Sequence, residues 1–262
     1  MTEDMIPVHE RDAMPFECCS ENPCFNECCR DLNQALTPYD ILRLKRNLGI
    51  SSQVFLKKYT SLHYGPGSGL PIVEFKPNPA TGHECPFVII KGCSVYADRP
   101  GSCRLYPLAR AIARDRQTGE TTEYFALIEE PHCKGLGKKT NLTVREWMEG
   151  QEVGLHNLHN DKLMELISLK NKILPGKLEG AQSDQFYLAL YDLDEFRTRI
   201  FEQGLLKEFN LPDSFLQILK TDDEALMDFG IAWVKNMLFG IDLDMINYDM
   251  VNYDIIDPDI KE

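Results

Sequence analysis

Apolar residues recur at helical spacing over much of the chain and at strand spacing in a few short stretches. Thr37 reads as an N-cap, with Pro38 at the first helical position and Asp40 in the first turn. Ile41, Leu42, Leu44 and Leu48 then share one helical face, and Gly49 ends the helix. A second short helix is predicted over Ser51–Tyr59, with Val54, Phe55 and Tyr59 inward. The pattern then changes. HYGPGSGLP reads as loop, LPIVEFKP as a strand by alternation, and CPFVII as a short buried strand. ADRPGSCRLYP is rich in turn residues. Ala109–Arg114 fits a strand or a helical turn equally well. RQTGETTEYFALIEE has the form of a hairpin, with Thr118–Gly119 at the turn and Tyr124–Glu129 as its second strand.

Thr143 followed by Glu146 is a capping box, and from there the pattern is mainly helical. Leu155–Leu174 places apolar residues at 155, 158, 163, 166, 167 and 169, and Pro175–Gly176 stops it. Residues 184–206 give one stripe of Phe186, Leu190, Leu193, Phe196 and Ile200. Two further helices are predicted over 213–220 and 222–239, the second capped by Asp222 or Asp223. The expected fold class is α+β: a cysteine-rich N-terminal half of short strands and loops, then a mainly α-helical C-terminal half. The expected division is a cysteine-cluster metal-binding region over 1–150, a helical region over 151–240 and an acidic tail over 241–262. Residues 1–17 read as a polar lead-in.

Charge narrows the choice of partners. The 262 residues carry 28 Lys and Arg against 41 Asp and Glu, a net charge of −13. Such acidity opposes binding to a nucleic-acid backbone or an anionic membrane face. No run of 18 apolar residues is present, so no membrane-spanning helix is expected. The opening MTEDMIPVHERDAMPFE carries acids and lacks the apolar core of a secretory signal, so a reducing cytoplasmic setting is expected.

The nine cysteines are the outlier. All lie at or before residue 133: Cys18, Cys19, Cys24, Cys28, Cys29, Cys85, Cys93, Cys103 and Cys133. Five fall within ECCSENPCFNECC, which is too polar and irregular for a core strand. In a reducing compartment clustered thiols serve as metal ligands or redox centres rather than staples. Thiolates suit zinc, copper(I) and iron–sulfur clusters. No Cys-x-x-Cys turn is present, which speaks against a plain zinc finger and leaves an iron–sulfur cluster or an irregular zinc site open. Cys85, Cys93, Cys103 and Cys133 stand on or beside loops, where they form a site of their own or complete the first set. His83 and His132 stand beside them. Arg99 and Arg104 flank Cys103. They are candidates to offset the negative charge of a thiolate-bound cofactor, with a salt bridge to Asp98 as the plainer alternative.

The strings PCFNECCR, ECPFVIIKGCSVYADRPGSCRLYP and PHCKGLGKKTNLTVREWMEGQ closely resemble the YkgJ-type cysteine-cluster family. That family is described as a zinc- or iron-chelating domain and includes flagellin lysine N-methylases. Its pattern is carried here by Cys28–Cys29, by Arg99–Pro100–Gly101–Ser102–Cys103–Arg104 with Pro107, and by Cys133 with Gly135 and Gly137. The family's usual Cys-x-x-Cys in the first segment is replaced by Cys18, Cys19 and Cys24, so either member of the Cys18–Cys19 pair fits the ligand position.

The expected metal ligands are Cys19, Cys24, Cys28, Cys29, Cys85, Cys93, Cys103 and Cys133. Arg99 and Arg104 are the expected cofactor-binding residues. The expected occupant is an iron–sulfur cluster or iron, with zinc as the alternative. A cytosolic metalloprotein with a structural, redox or metal-handling role is one functional reading. An S-adenosylmethionine-dependent protein-lysine N-methylase is a second, opposed by the absence of a strand–GxGxG–helix nucleotide loop. A zinc-stabilised interaction module, with a protein partner at the helical half, is the third.

Overall fold

The structure is a computed structural model. It describes residues 5–30, 34–76, 78–114, 118, 120–209 and 211–243. The chain divides into two compact units. Unit 1 comprises residues 1–48, 59–61 and 74–160, and unit 2 comprises 49–58, 62–73 and 161–262. The division follows tertiary contact rather than chain order, because residues 49–58 and 62–73 join the C-terminal helices instead of the cysteine-rich half. Most of the acidic tail lies outside the described residues. Among those described, no helix is long and apolar enough to cross a membrane.

The architecture is α+β, with the strands in the N-terminal half and most of the helices in the C-terminal half. In unit 1, β1 (Met5–Val8), β7 (Leu108–Arg114) and β8 (Thr121–Ile128) form an antiparallel sheet in the order β1-β8-β7. Register pairs Met5 with Ile128, and Leu108 with Leu127. The segment expected as a polar lead-in therefore contributes an edge strand. It also supplies Met14 and Phe16 to a core with Leu108, Phe125, Leu127, Val144 and Trp147. The polar residues of the lead-in hide two large apolar ones that tertiary pairing buries. The ambiguous Ala109–Arg114 stretch is a strand because β8 pairs with it along its whole length.

Helix α1 (Pro38–Leu48) begins as its sequence dictates. Asp40 N–H donates to Thr37 Oγ1 at 3.2 Å, and Thr37 N–H donates to Asp40 Oδ2 at 2.9 Å. β2 (Ala35–Leu36) lies just before α1; β3 (Thr60–Tyr64), β4 (Pro71–Phe75), the two-residue strands β5 (Val88–Ile89) and β6 (Gly92–Cys93), and the short helix α3 (Gly101–Leu105) follow it, before α4 (Val144–Gly150). CPFVII is not a buried strand. Phe87 is buried, but Ile90 at the tip of the β5–β6 hairpin is 98% exposed. Val88–Ile89 pairs with Gly92–Cys93 across a tight turn, and the tip of that hairpin projects into solvent. The capping box at Thr143 forms in both directions with Glu146.

Unit 2 contains α2 (Ser52–Tyr59, its last residue in unit 1), α6 (Gly180–Tyr191), α7 (Leu193–Phe201), α8 (Asp213–Thr221) and α9 (Asp223–Phe239). The single stripe predicted over 184–206 is two helices. Asp192 breaks the first and caps the second, accepting from Glu195 N–H. Ser52 N–H donates to the Asp194 carboxylate at 2.7 Å and Ser52 Oγ to Asp192 at 2.6 Å, which is why α2 belongs to this unit. Val54, expected inward, is exposed. Helices α6 and α9 approach so closely that a Cβ on Gly230 would stand 2.4 Å from the Ala189 carbonyl oxygen. Phe186, Phe196, Phe215, Phe229 and Trp233 fill the space around that contact.

Helix α5 (Gly154–Ile173) has its first seven residues in unit 1 and the remainder in unit 2. Its opening turns reverse the expected pattern. Leu155 and Leu158 are 45% and 42% exposed, whereas His156 and His159 are buried at 6% and 3%.

Candidate metal centre

A cavity of about 1400 Å³ opens in unit 1, and all nine cysteines line it. All nine are free. The two cysteine segments meet there because backbone hydrogen bonds tie them. Cys85 N–H donates to Cys29 O at 2.8 Å, and Lys134 N–H donates to Cys24 Sγ at 3.1 Å. Asn26 Nδ2 donates to Ile89 O at 3.0 Å. Residues 13–17 run antiparallel to 135–143: Glu17 N–H donates to Gly135 O at 3.0 Å, and Phe16 bridges to Leu136. That pairing sets the segment beginning at Cys18 beside the loop of Cys133. Cys133 itself packs against the Met14–Trp147 core.

The loops also aim amide hydrogens at sulfur. The backbone amides of Phe87 and Val88 act to lower Cys85, and that of Val95 to lower Cys93, against the larger rise from burial. Amides pointed at sulfur stabilise a thiolate and orient it toward a metal. The thiols also act on one another. Cys28 is pushed up by its hydrogen bond to Cys29 and by burial. Burial pushes Cys18 and Cys85 to about 11, and the Cys28 charge is a further cause in both. Cys103 is pushed up by burial, then by Cys85, Asp40, Cys93 and Cys28. Cys28 is thus within electrostatic reach of sulfurs from both segments.

Among the described residues, no three His, Cys, Asp or Glu side chains stand together in a way that holds one metal ion. The thiols border a common space without closing on a point. The donor chemistry nevertheless fits zinc or iron. Several soft sulfur donors border one cavity, and the Lys134 N–H is directed at one of them. Protonated thiols are not drawn to one point, and they become ligands as a metal displaces their protons.

Of the two arginines, Arg99 lines the cavity and Arg104 does not. Arg99 stacks over the Tyr96 ring at 3.8 Å and donates to Tyr96 O and Gln151 Oε1, each at 2.7 Å. It is within electrostatic reach of Cys103 and Cys93. Arg104 is buried and spends its guanidinium on backbone carbonyls of Ala97, Arg99 and Gln151. It locks the turn that carries Cys103. Asp98 is engaged by Arg43 and Asn47, each at 2.7 Å. His132 lines the cavity, with Nε2 3.3 Å from the Tyr106 hydroxyl; His83 lies outside it.

One buried pair at the cavity was missed in the sequence. His156 Nδ1 lies 3.0 Å from Asp40 Oδ1, and both residues line the cavity. The available signal was the spacing of His156 and His159, three residues apart and so on one helical face. The tyrosine between α1's cap and Asp40 completes the arrangement: Tyr39 meets His156 edge-on at 5.0 Å and stacks on His159 at 4.4 Å.

Fold and site thus define a cysteine-lined class of α+β domain. Residues 17–141 match the family model described as "Putative zinc- or iron-chelating domain", named for its CxxCxxCC cysteine pattern. Neither the curated proteins nor the solved structures contain a match to the chain.

Proposed function

We propose that the thiols of both segments hold an iron–sulfur cluster or thiolate-bound iron in this cavity, with zinc as the alternative occupant. The single observation that carries this reading is the shared cavity. Cysteines separated by more than fifty residues, from Cys29 to Cys85, line one space. Nine thiols exceed the four that one tetrahedral ion uses, and they surround a volume suited to a multi-atom centre. Arg99, within reach of Cys93 and Cys103, offsets part of the negative charge that a thiolate-bound centre carries. The role supported is structural, redox or metal-handling.

The test is anaerobic purification of the full chain with elemental analysis and optical spectroscopy. Iron with acid-labile sulfide and visible charge-transfer absorption is the expected result. Colourless protein with stoichiometric zinc selects the alternative. Cys28→Ser, in the first segment, and Cys103→Ser, in the second, should each lower metal content. Full metal content in both variants overturns the assignment.

A further inference from the structure

Asp40 is an acceptor on both carboxylate oxygens. Oδ2 takes the Thr37 N–H at 2.9 Å, and Oδ1 takes the Gly101 N–H at 2.9 Å. With both oxygens accepting, the contact of 3.0 Å to His156 Nδ1 is a hydrogen bond donated by the imidazole. In the neutral ring, a donating Nδ1 leaves the lone pair on Nε2. The Nδ1 bond is the imidazole's one hydrogen bond among the described residues, so Nε2 has none. The ring is 94% buried, yet it borders the cavity that the thiols line. Gly101 is packed against it so tightly that a Cβ there would lie 3.0 Å from His156 Cβ. Gly101 opens the turn that carries Cys103, and Asp40 acts electrostatically on that thiol. The imidazole is thus held against Asp40 through Nδ1 and set beside the Cys103 turn.

A histidine that gives one ring N–H to a carboxylate and keeps the other nitrogen bare is the arrangement that presents a metal-ligating imidazole. We propose that His156 Nε2 is a nitrogen donor to the metal centre of this cavity, with Asp40 as the residue that orients it. The assignment rests on the proposed metal centre. It adds a ligand that lies fifteen residues beyond the segment matched by the family model. It also accounts for burying His156 while Leu155 and Leu158 of the same turns face solvent.

The experiment is X-ray absorption at the metal edge on the full chain, loaded anaerobically with ferrous iron and sulfide and, separately, with zinc(II). The expected result is one nitrogen scatterer at about 2.0–2.1 Å in the zinc-loaded form, with an imidazole signature, beside a sulfur shell. That scatterer should vanish in His156→Gln and survive in His132→Gln, the other histidine that lines the cavity. Asp40→Asn should weaken zinc(II) binding about 10–100-fold. Circular dichroism of the metal-free variants separates loss of the ligand from loss of the fold, and His156→Asn supplies a smaller replacement if His156→Gln fails to fold. Sulfur-only shells in both loaded forms, or a nitrogen scatterer that persists in His156→Gln, overturn the inference and leave the metal centre standing. Failure to take up either metal defeats the metal centre and the inference together.

Discussion

Single thiols in this protein have environments that a thiol in water lacks. Burial and neighbouring sulfurs raise Cys18 and Cys85 from 9.0 to about 11. A group whose folded pKa lies above its unfolded value contributes stability that is complete below the unfolded value. That contribution is lost as pH rises through the folded one. The metal-free chain should therefore hold its melting temperature up to about pH 9 and lose it progressively toward pH 11. A melting temperature that stays level across that interval contradicts the assigned thiol environments. The same protons compete with metal, so loading should release protons and weaken as pH falls. Potentiometric titration during zinc addition measures this directly. At the same scale, His156 shows what composition hides: a histidine on an apolar-looking helix is buried and oriented by Asp40, 116 positions earlier.

At the scale of elements, local chemistry set many boundaries. The reciprocal Thr37–Asp40 bonds start α1, Gly49 in a left-handed conformation ends it, and the Thr143–Glu146 box starts α4. These signals act within four residues, so sequence spacing suffices to find them. Where an element depends on a distant partner, spacing did not suffice. The strand Met5–Val8 exists because β8 pairs with it, and Asp192 divides one apolar stripe into two helices. Lys170 is a further case. It is fully buried on α5, and its ammonium donates to the carbonyls of Ser68 and Gly176. The Gly65–Gly69 loop is thereby fastened within unit 2. Lys170→Met leaves the Ser68 and Gly176 carbonyls without that charged donor and should cost about 1.5–3 kcal/mol. Urea unfolding monitored by circular dichroism reads the loss, and an unchanged midpoint refutes the fastening role.

At the scale of the molecule, the two units differ in what holds them. Unit 2 packs aromatic residues of α6 to α9 into a dense core. Unit 1 has a smaller apolar core beside a cavity walled by thiols. Structural metals supply folding free energy outright in domains of this kind. Removal of the bound metal by a chelator should accordingly expose residues 17–141 to limited proteolysis while residues 180–240 stay protected. Mass spectrometry of the fragments checks this. Equal protection of both regions after complete metal removal argues against a stabilising role for the centre. The unit boundary itself was out of reach of sequence pattern, because residues 49–58 and 62–73 are interleaved with segments of unit 1.

The sequence by itself determined the chemistry available and where it starts. Nine thiols in the first 133 residues, the Arg-Pro-Gly-Ser-Cys-Arg turn and the helix caps are legible from residue type and short spacing. Only the tertiary structure decided which of these meet. The bond from Cys85 N–H to Cys29 O, the strand that residues 5–8 add, and the seating of His156 on Asp40 are contacts between segments dozens of positions apart. Spacing along a chain fixes neighbours within a turn or two, whereas contacts across a core depend on how every intervening element packs.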